Sequence, residues 1–217
     1  MGTRIQNLAN NFTTAGIVKA AAINDASVSG ITSIPAGVGG ALTLLSTQTA
    51  SASASIEFTS GIDSTYDSYV FKFIDIHPQT DNVYFGFQVD TGTNTNWNQT
   101  ITSTSFIAQH DESNTTTELG YAAGSDQAQG TGLEPLIFLQ GADADQQCSG
   151  TLTIFNPSSS VFVKHFIARG NGTRFNDYSR ENFQAGYINT TTPITRIQFK
   201  MSSGNIDDGI IKLYGVS

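Results

Sequence analysis

The chain has 217 residues, with 18 acidic against 10 basic side chains, a formal net charge of −8 and a sequence pI near 4.6. That balance argues against binding to nucleic acid, where Lys and Arg density supplies the affinity, and no apolar run approaches the roughly 18 residues of a membrane span. The single cysteine, Cys148, excludes an intrachain disulfide and any CxxC metal pair.

In chain order, residues 1–43 come first and read as an extended anchoring arm. Their apolar residues, including Ile5, Leu8, Phe12, Ile17, Val18 and Ile23, arrive singly or in pairs with no sustained period. Such a segment buries too little apolar surface to offset its own ordering entropy, so a partner surface is expected to order it. A short helix near Ile17–Ala26 and a hinge at Pro35–Gly40 are the only local signals. No signal-peptide pattern opens the sequence, which predicts synthesis in a cytoplasm.

From Leu44 onward the pattern becomes dense strand-like alternation with turn signals between runs and no helical period. Tyr69–Ile76 (YVFKFIDI) is apolar at nearly every position and predicts a central strand covered on both faces. Val83–Val89 (VYFGFQV) alternates and predicts a half-buried strand. Ile101–Gln109, Leu133–Gln140, Leu152–Asn156 and Val161–Ala168 continue the series, the last two as a hairpin across Pro157-Ser-Ser-Ser. Ile197–Met201 and Ile210–Val216 close it, either side of a Gly- and Asp-rich turn. Ten to twelve short strands without helices predict an all-β fold over residues 44–217, an antiparallel jelly-roll-like β-sandwich. Loops at Thr91–Thr100, Asp111–Gly132 and Gly170–Arg180 would cluster at a functional end.

Catalytic signatures are missing. The sequence has no G-x-S-x-G elbow, H-E-x-x-H helix or phosphate loop. His165 shares a strand face with Val161, Val163 and Ile167, which suits a core histidine, and Cys148 has no neighbouring histidine to activate it. No enzyme activity, cofactor or metal is therefore expected. Asp143, Asp145 and Asp90 are the only acidic turn positions with spacing that fits calcium, and neither stretch closes with the bidentate Glu that such loops use. The basic residues Lys164, His165, Arg169, Arg174 and Arg180 read as scattered surface charge. A sugar site would want an aromatic platform among amides: Trp97 with Asn94, Asn96 and Asn98 has that composition, with Tyr121 and Tyr178 as weaker members. The same residues also fit a rim aromatic that pins a long loop.

Charged residues make up 13% of the chain, about half the usual share of roughly 25%. Ser, Thr, Asn and Gln fill the gap, which suits either subunits that pack closely or simply a Thr-rich β protein.

Leu45–Phe58 (LSTQTASASASIEF) running into Gly61–Ile76, His77–Phe87 (HPQTDNVYFGF) and Ser203–Val216 (SGNIDDGIIKLYGV) resemble structural proteins of marine and cyanobacterial tailed phages, as does the arm stretch NLANNFTTAGIVKAAAIND. The resemblance implies a virion subunit anchored by its arm to other virion proteins, a homotrimer, and a sandwich projecting outward. It implies no catalytic residue. As a tail fibre or appendage the sandwich would meet a host surface glycan or protein. As a head decoration protein it would brace the capsid lattice, and a polysaccharide-degrading spike is the third option.

Overall fold

The computed structural model describes residues 42–217. The arm residues Ile5 to Ile23, the helix expected at Ile17–Ala26 and the hinge at Pro35–Gly40 lie outside the described residues. Within them the chain is all-β, with twelve strands and no helix. In order these are β1 (Thr43–Ser53), β2 (Ile56–Phe58), β3 (Ser68–Pro78), β4 (Val83–Thr91), β5 (Ile101–Asp111) and β6 (Thr117–Tyr121). Then follow β7 (Glu134–Gln140), β8 (Cys148–Phe155), β9 (Lys164–Arg174), β10 (Tyr178–Ile188), β11 (Ile194–Met201) and β12 (Ile206–Val216).

Every pairing is antiparallel. One run of neighbours is β1-β12-β3-β8-β9-β10-β5-β6, and a second is β2-β11-β4-β7. They join through a single residue pair, Gln140 with Arg174, between β7 at the end of the shorter run and β9 inside the longer one, and the two runs share one apolar core in sandwich fashion. Alternation explains why these segments fold this way: side chains two apart share a face, and one apolar face of each run turns inward. From the longer run come Tyr69, Phe71, Phe73, Leu152, Ile154, Phe166, Ile211 and Leu213; from the shorter come Ile56, Phe58, Phe85, Phe87, Val89, Ile197, Phe199 and Met201. Phe199 is the hub, with ring centroids 5.2 Å from Phe71, 5.3 Å from Phe73, 5.8 Å from Phe85 and 6.2 Å from Phe58. Phe87 meets Phe166 edge-on at 5.2 Å. Such pairs contribute about 0.5–1.5 kcal/mol each beyond their buried area.

Two expectations exchange places. β3 is central, between β12 and β8, yet it is buried on one face only: Val70, Lys72 and Ile74 are half-buried, and Asp75 is exposed at a bulge. β4, expected to be half-buried, is covered on both faces from Phe85 to Thr91. Gly86 has no side chain, so the β7 backbone passes close; a Cβ there would lie 2.5 Å from the Glu134 carbonyl oxygen. Gln88 then bonds the covering segments, its Nε2 donating to the carbonyls of Gln99, Thr131 and Gly132 at 2.8–3.2 Å.

Other details also differ. Gly170–Arg180 is not a long loop, because β9 and β10 run to Arg174 and from Tyr178 and leave a three-residue turn. Asp111–Gly132 contains β6. The β8–β9 hairpin forms, but its connection extends from Asn156 to Val163. The last turn carries the chain across layers, since β11 pairs with β4 and β2 while β12 pairs with β1 and β3. His165 keeps the face shared with Ile167, but that face is exposed. The buried neighbour is Lys164, whose ammonium donates to the carbonyls of Thr190 and Thr192 at 3.0 and 2.9 Å. A long side chain with two of its three donors on backbone carbonyls tolerates burial at this position.

A second interior, unlike the first, is polar. The inner faces of β5 and β10 carry Ser105, Asn182 and Gln184, covered by β7 and the segment leading into it. Glu134 sits there with no exposed surface. It accepts from Gln127 Nε2 at 3.0 Å, and burial pushes its carboxyl up to about 7 against the lowering effect of bonds from Ser103 and Gln127, with the Asp126 charge adding to the rise.

Candidate functional site

The β9–β10 hairpin builds the site. Its turn, Phe175–Asp177, places Asp177 at φ +63°, a left-handed geometry that Asp tolerates. Tyr178 stands opposite Arg174 and Arg180 opposite Gly172, so the two arginines are diagonal neighbours on the inner face, about 7–8 Å apart at their Cα atoms. Beside them the β5–β6 hairpin sets Gln109 opposite Glu118. A cleft of about 630 Å³ opens here. Tyr84 and Phe138, with ring centroids 5.6 Å apart, line one side, and the segment from Tyr121 to Ser125 lines another.

Arg174 is held flat. Its guanidinium lies 5.1 Å from the Tyr178 ring centroid and 5.4 Å from that of Phe175, and Nη1 is 3.5 Å from Gln109 Oε1. Arg180 is 7% exposed. The Nε atoms of both arginines are buried without a hydrogen-bond partner. The ion pairs among the described residues are His77 with Asp207 and Arg169 with Glu181, neither of which involves these two. Burial lowers the Arg180 pKa, the Arg174 charge lowers it further, and Glu118 opposes both. Glu118 itself is exposed at the rim, where its Oε2 accepts from Gln109 Nε2 at 2.6 Å.

The residues picked out from sequence do not form one site. Trp97 precedes the first residue of β5 and Tyr178 pairs with Asp111 at its last. Eleven residues at about 3.3 Å each put them at opposite ends of that strand. Asn94, Asn96 and Asn98 are exposed on the loop with Trp97, which is half-buried. What pins that loop is Asp90, fully buried at the end of β4. Its Oδ1 accepts from Thr91 N at 2.8 Å and Gln99 Nε2 at 3.2 Å, and its Oδ2 from Asn96 N at 2.7 Å and Trp97 N at 3.0 Å. Its oxygens are thus committed to the loop. Only Tyr121 and Tyr178 of the set reach the arginine cleft, one in its wall and one beneath Arg174.

The other turn acids lie away from the arginine cleft. The Asp143 carbonyl oxygen lies 3.2 Å from His77 Nε2, and Asp145 borders a recess of about 400 Å³ with Asp75, Asp207 and Asp208. Among the described residues no group of three or more His, Cys, Asp or Glu is arranged to hold a metal ion. Cys148 is fully buried, and burial pushes its thiol pKa far up, which makes it unreactive. Asp111 caps the turn after β5. Hydrogen bonds from the Ser113 and Thr115 hydroxyls and from the backbone amides of Thr115 and Thr116 hold its carboxyl well below the usual range.

Arg174 and Arg180 were legible only as part of a diffuse basic cluster. The signal available was the Phe175-Asn-Asp turn between them: in a tight hairpin, Arg174 and Arg180 fall on one face. The chain matches no protein-family model, no curated protein and no solved structure.

Proposed function

We propose that this chain is a structural subunit of a tailed-phage virion, an appendage or tail-fibre component that meets the host surface through its sandwich and joins other virion proteins, as a homotrimer, through residues 1–43. The observation that carries the reading is the arginine cleft. It is an open recess with aromatic walls and two arginines that form no ion pair among the described residues, Glu118 at the rim being the nearest acidic side chain in its lining, which suits reversible ligand capture rather than packing. The stretches resembling phage structural proteins correspond to β1, β2, β3, β4 and β12; of these only β4 reaches the cleft, through Tyr84, and the β5–β6 and β9–β10 hairpins that carry the arginines and their polar neighbours lie outside them.

A second reading, head decoration, is favoured by a different surface. Phe106, Leu119 and Ile167 are exposed on the outer face of β9, β5 and β6, and Phe106 stacks on Phe183 at 4.4 Å. That face suits lattice packing against other subunits. Adhesion separates the two. The fluorescently labelled chain should bind host cells saturably; failure to bind, with raised thermal stability of empty heads on its addition, would replace the appendage by the decoration protein. Release of oligosaccharide from host envelope extracts would instead indicate a degrading spike.

A further inference from the structure

We propose that the Arg174–Arg180 cleft binds the carboxylate of an acidic saccharide, a uronic-acid unit or its chemical equivalent. The inference deepens the appendage reading and rests on it for the ligand's source. Its chemistry stands on the cleft alone.

An arginine that is 7% exposed, with its Nε buried and unpartnered and no carboxylate within ion-pair distance among the described residues, is costly to keep. This chain has 18 acidic side chains for 10 basic ones, so leaving two adjacent arginines unpaired is the opposite of what composition favours. An incoming anion resolves it. Arg presents a planar fork that matches a carboxylate through two parallel hydrogen bonds, and Arg174 is pre-set by Phe175 and Tyr178, which reduces the ordering cost of binding.

The surroundings narrow the anion. The recess of about 630 Å³ lies within the roughly 300–1,000 Å³ of small-ligand sites. Ala122, Ala123 and Gly124 leave one wall bare, while Tyr84 and Phe138 supply aromatic surface for the apolar face of a sugar ring. Glu118 at the rim and Asp126, which accepts from the Tyr121 hydroxyl, repel a polyanion. With a net charge of −8 overall, the site favours one negative charge surrounded by neutral hydroxyls over a phosphate chain or a densely sulfated polymer.

The test titrates the full chain with sodium D-glucuronate, D-glucose and sodium sulfate at equal ionic strength, followed by saturation-transfer NMR and calorimetry. Glucuronate should bind at least tenfold more tightly than glucose or sulfate, and Arg174→Gln and Arg180→Gln should each weaken it at least tenfold. Equal binding of glucose or of sulfate would overturn the proposal, as would unchanged affinity in the variants. Arg174 is half-buried, so Arg174→Gln carries the test even if Arg180→Gln fails to fold. Glucuronate binding by a chain that never adheres to host cells would support the cleft chemistry and remove the appendage reading. Host adhesion undiminished in Arg174→Gln, with no glucuronate binding by the unaltered chain, would overturn the cleft and leave the appendage.

Discussion

Glu134 makes folding stability depend on pH in an unusual direction. Its carboxyl has no exposed surface, and Oε1 has no hydrogen-bond partner. In the folded chain it titrates near 7, against an ordinary value of 4.5. Below pH 4.5 it is protonated in both states and adds no pH dependence. Between 4.5 and 7 only the unfolded chain releases the proton, so stability is lost as pH rises, and above 7 the loss is complete. At about 1.4 kcal/mol for each of roughly 2.5 pH units the whole effect is about 3.5 kcal/mol. Between pH 5 and 8, away from the pI, roughly 2–3 kcal/mol of it is measurable. Glu134→Gln removes the ionisation while keeping shape and an amide to bond. Urea denaturation of both chains should show the variant gaining on the parent by that amount between pH 5 and 8, whatever the offset at pH 5. Taking the difference cancels the ordinary carboxylates, whose dependence runs the other way. A stability difference that stays within about 0.5 kcal/mol across the range would refute the buried, neutral Glu134 and the polar interior built around it.

Phe199→Ala removes the ring that four other phenylalanines touch and should cost about 3–5 kcal/mol in the same denaturation assay. Asp90→Ala strands three backbone amides, of Thr91, Asn96 and Trp97, and the Gln99 side-chain amide, and should cost about 2–4 kcal/mol. It should also red-shift Trp97 emission and open the loop to protease, and an unchanged emission maximum would show that Asp90 does not order it. Gly86→Ala sets a methyl 2.5 Å from a β7 carbonyl and should destabilise by about 1–3 kcal/mol. Arg180→Met should do the opposite, raising stability by about 1 kcal/mol by removing a buried unpaired charge while abolishing glucuronate binding.

Fold class was readable because the core obeys period-two alternation. Phe71 and Phe73 in β3, Phe85 and Phe87 in β4, and Ile197, Phe199 and Met201 in β11 point inward as their spacing requires. Which strands would be covered twice was not readable from hydropathy. The outward Val70 and Ile74 of β3 are apolar yet half-exposed, whereas the outward Gly86, Gln88 and Asp90 of β4 are buried. Gln88 and Asp90 are buried because they bond the backbone of distant loops, and hydropathy scores them as surface. The inverse error occurred at His165 and Lys164, where the cation is inside and the imidazole outside. The arginine cleft stayed hidden for a topological reason: Arg174 and Arg180 acquire meaning only when β9–β10 is brought against β5–β6, a pairing across about 70 residues that no local pattern announces.

Whether this chain occurs on an intact phage particle, and where, tests the proposed appendage role most directly. Cryo-EM difference imaging of virions carrying a label at Ser217 should place the added density at the tail, in threefold groups. Density spread over the head lattice would contradict the appendage assignment and make the subunit a decoration protein.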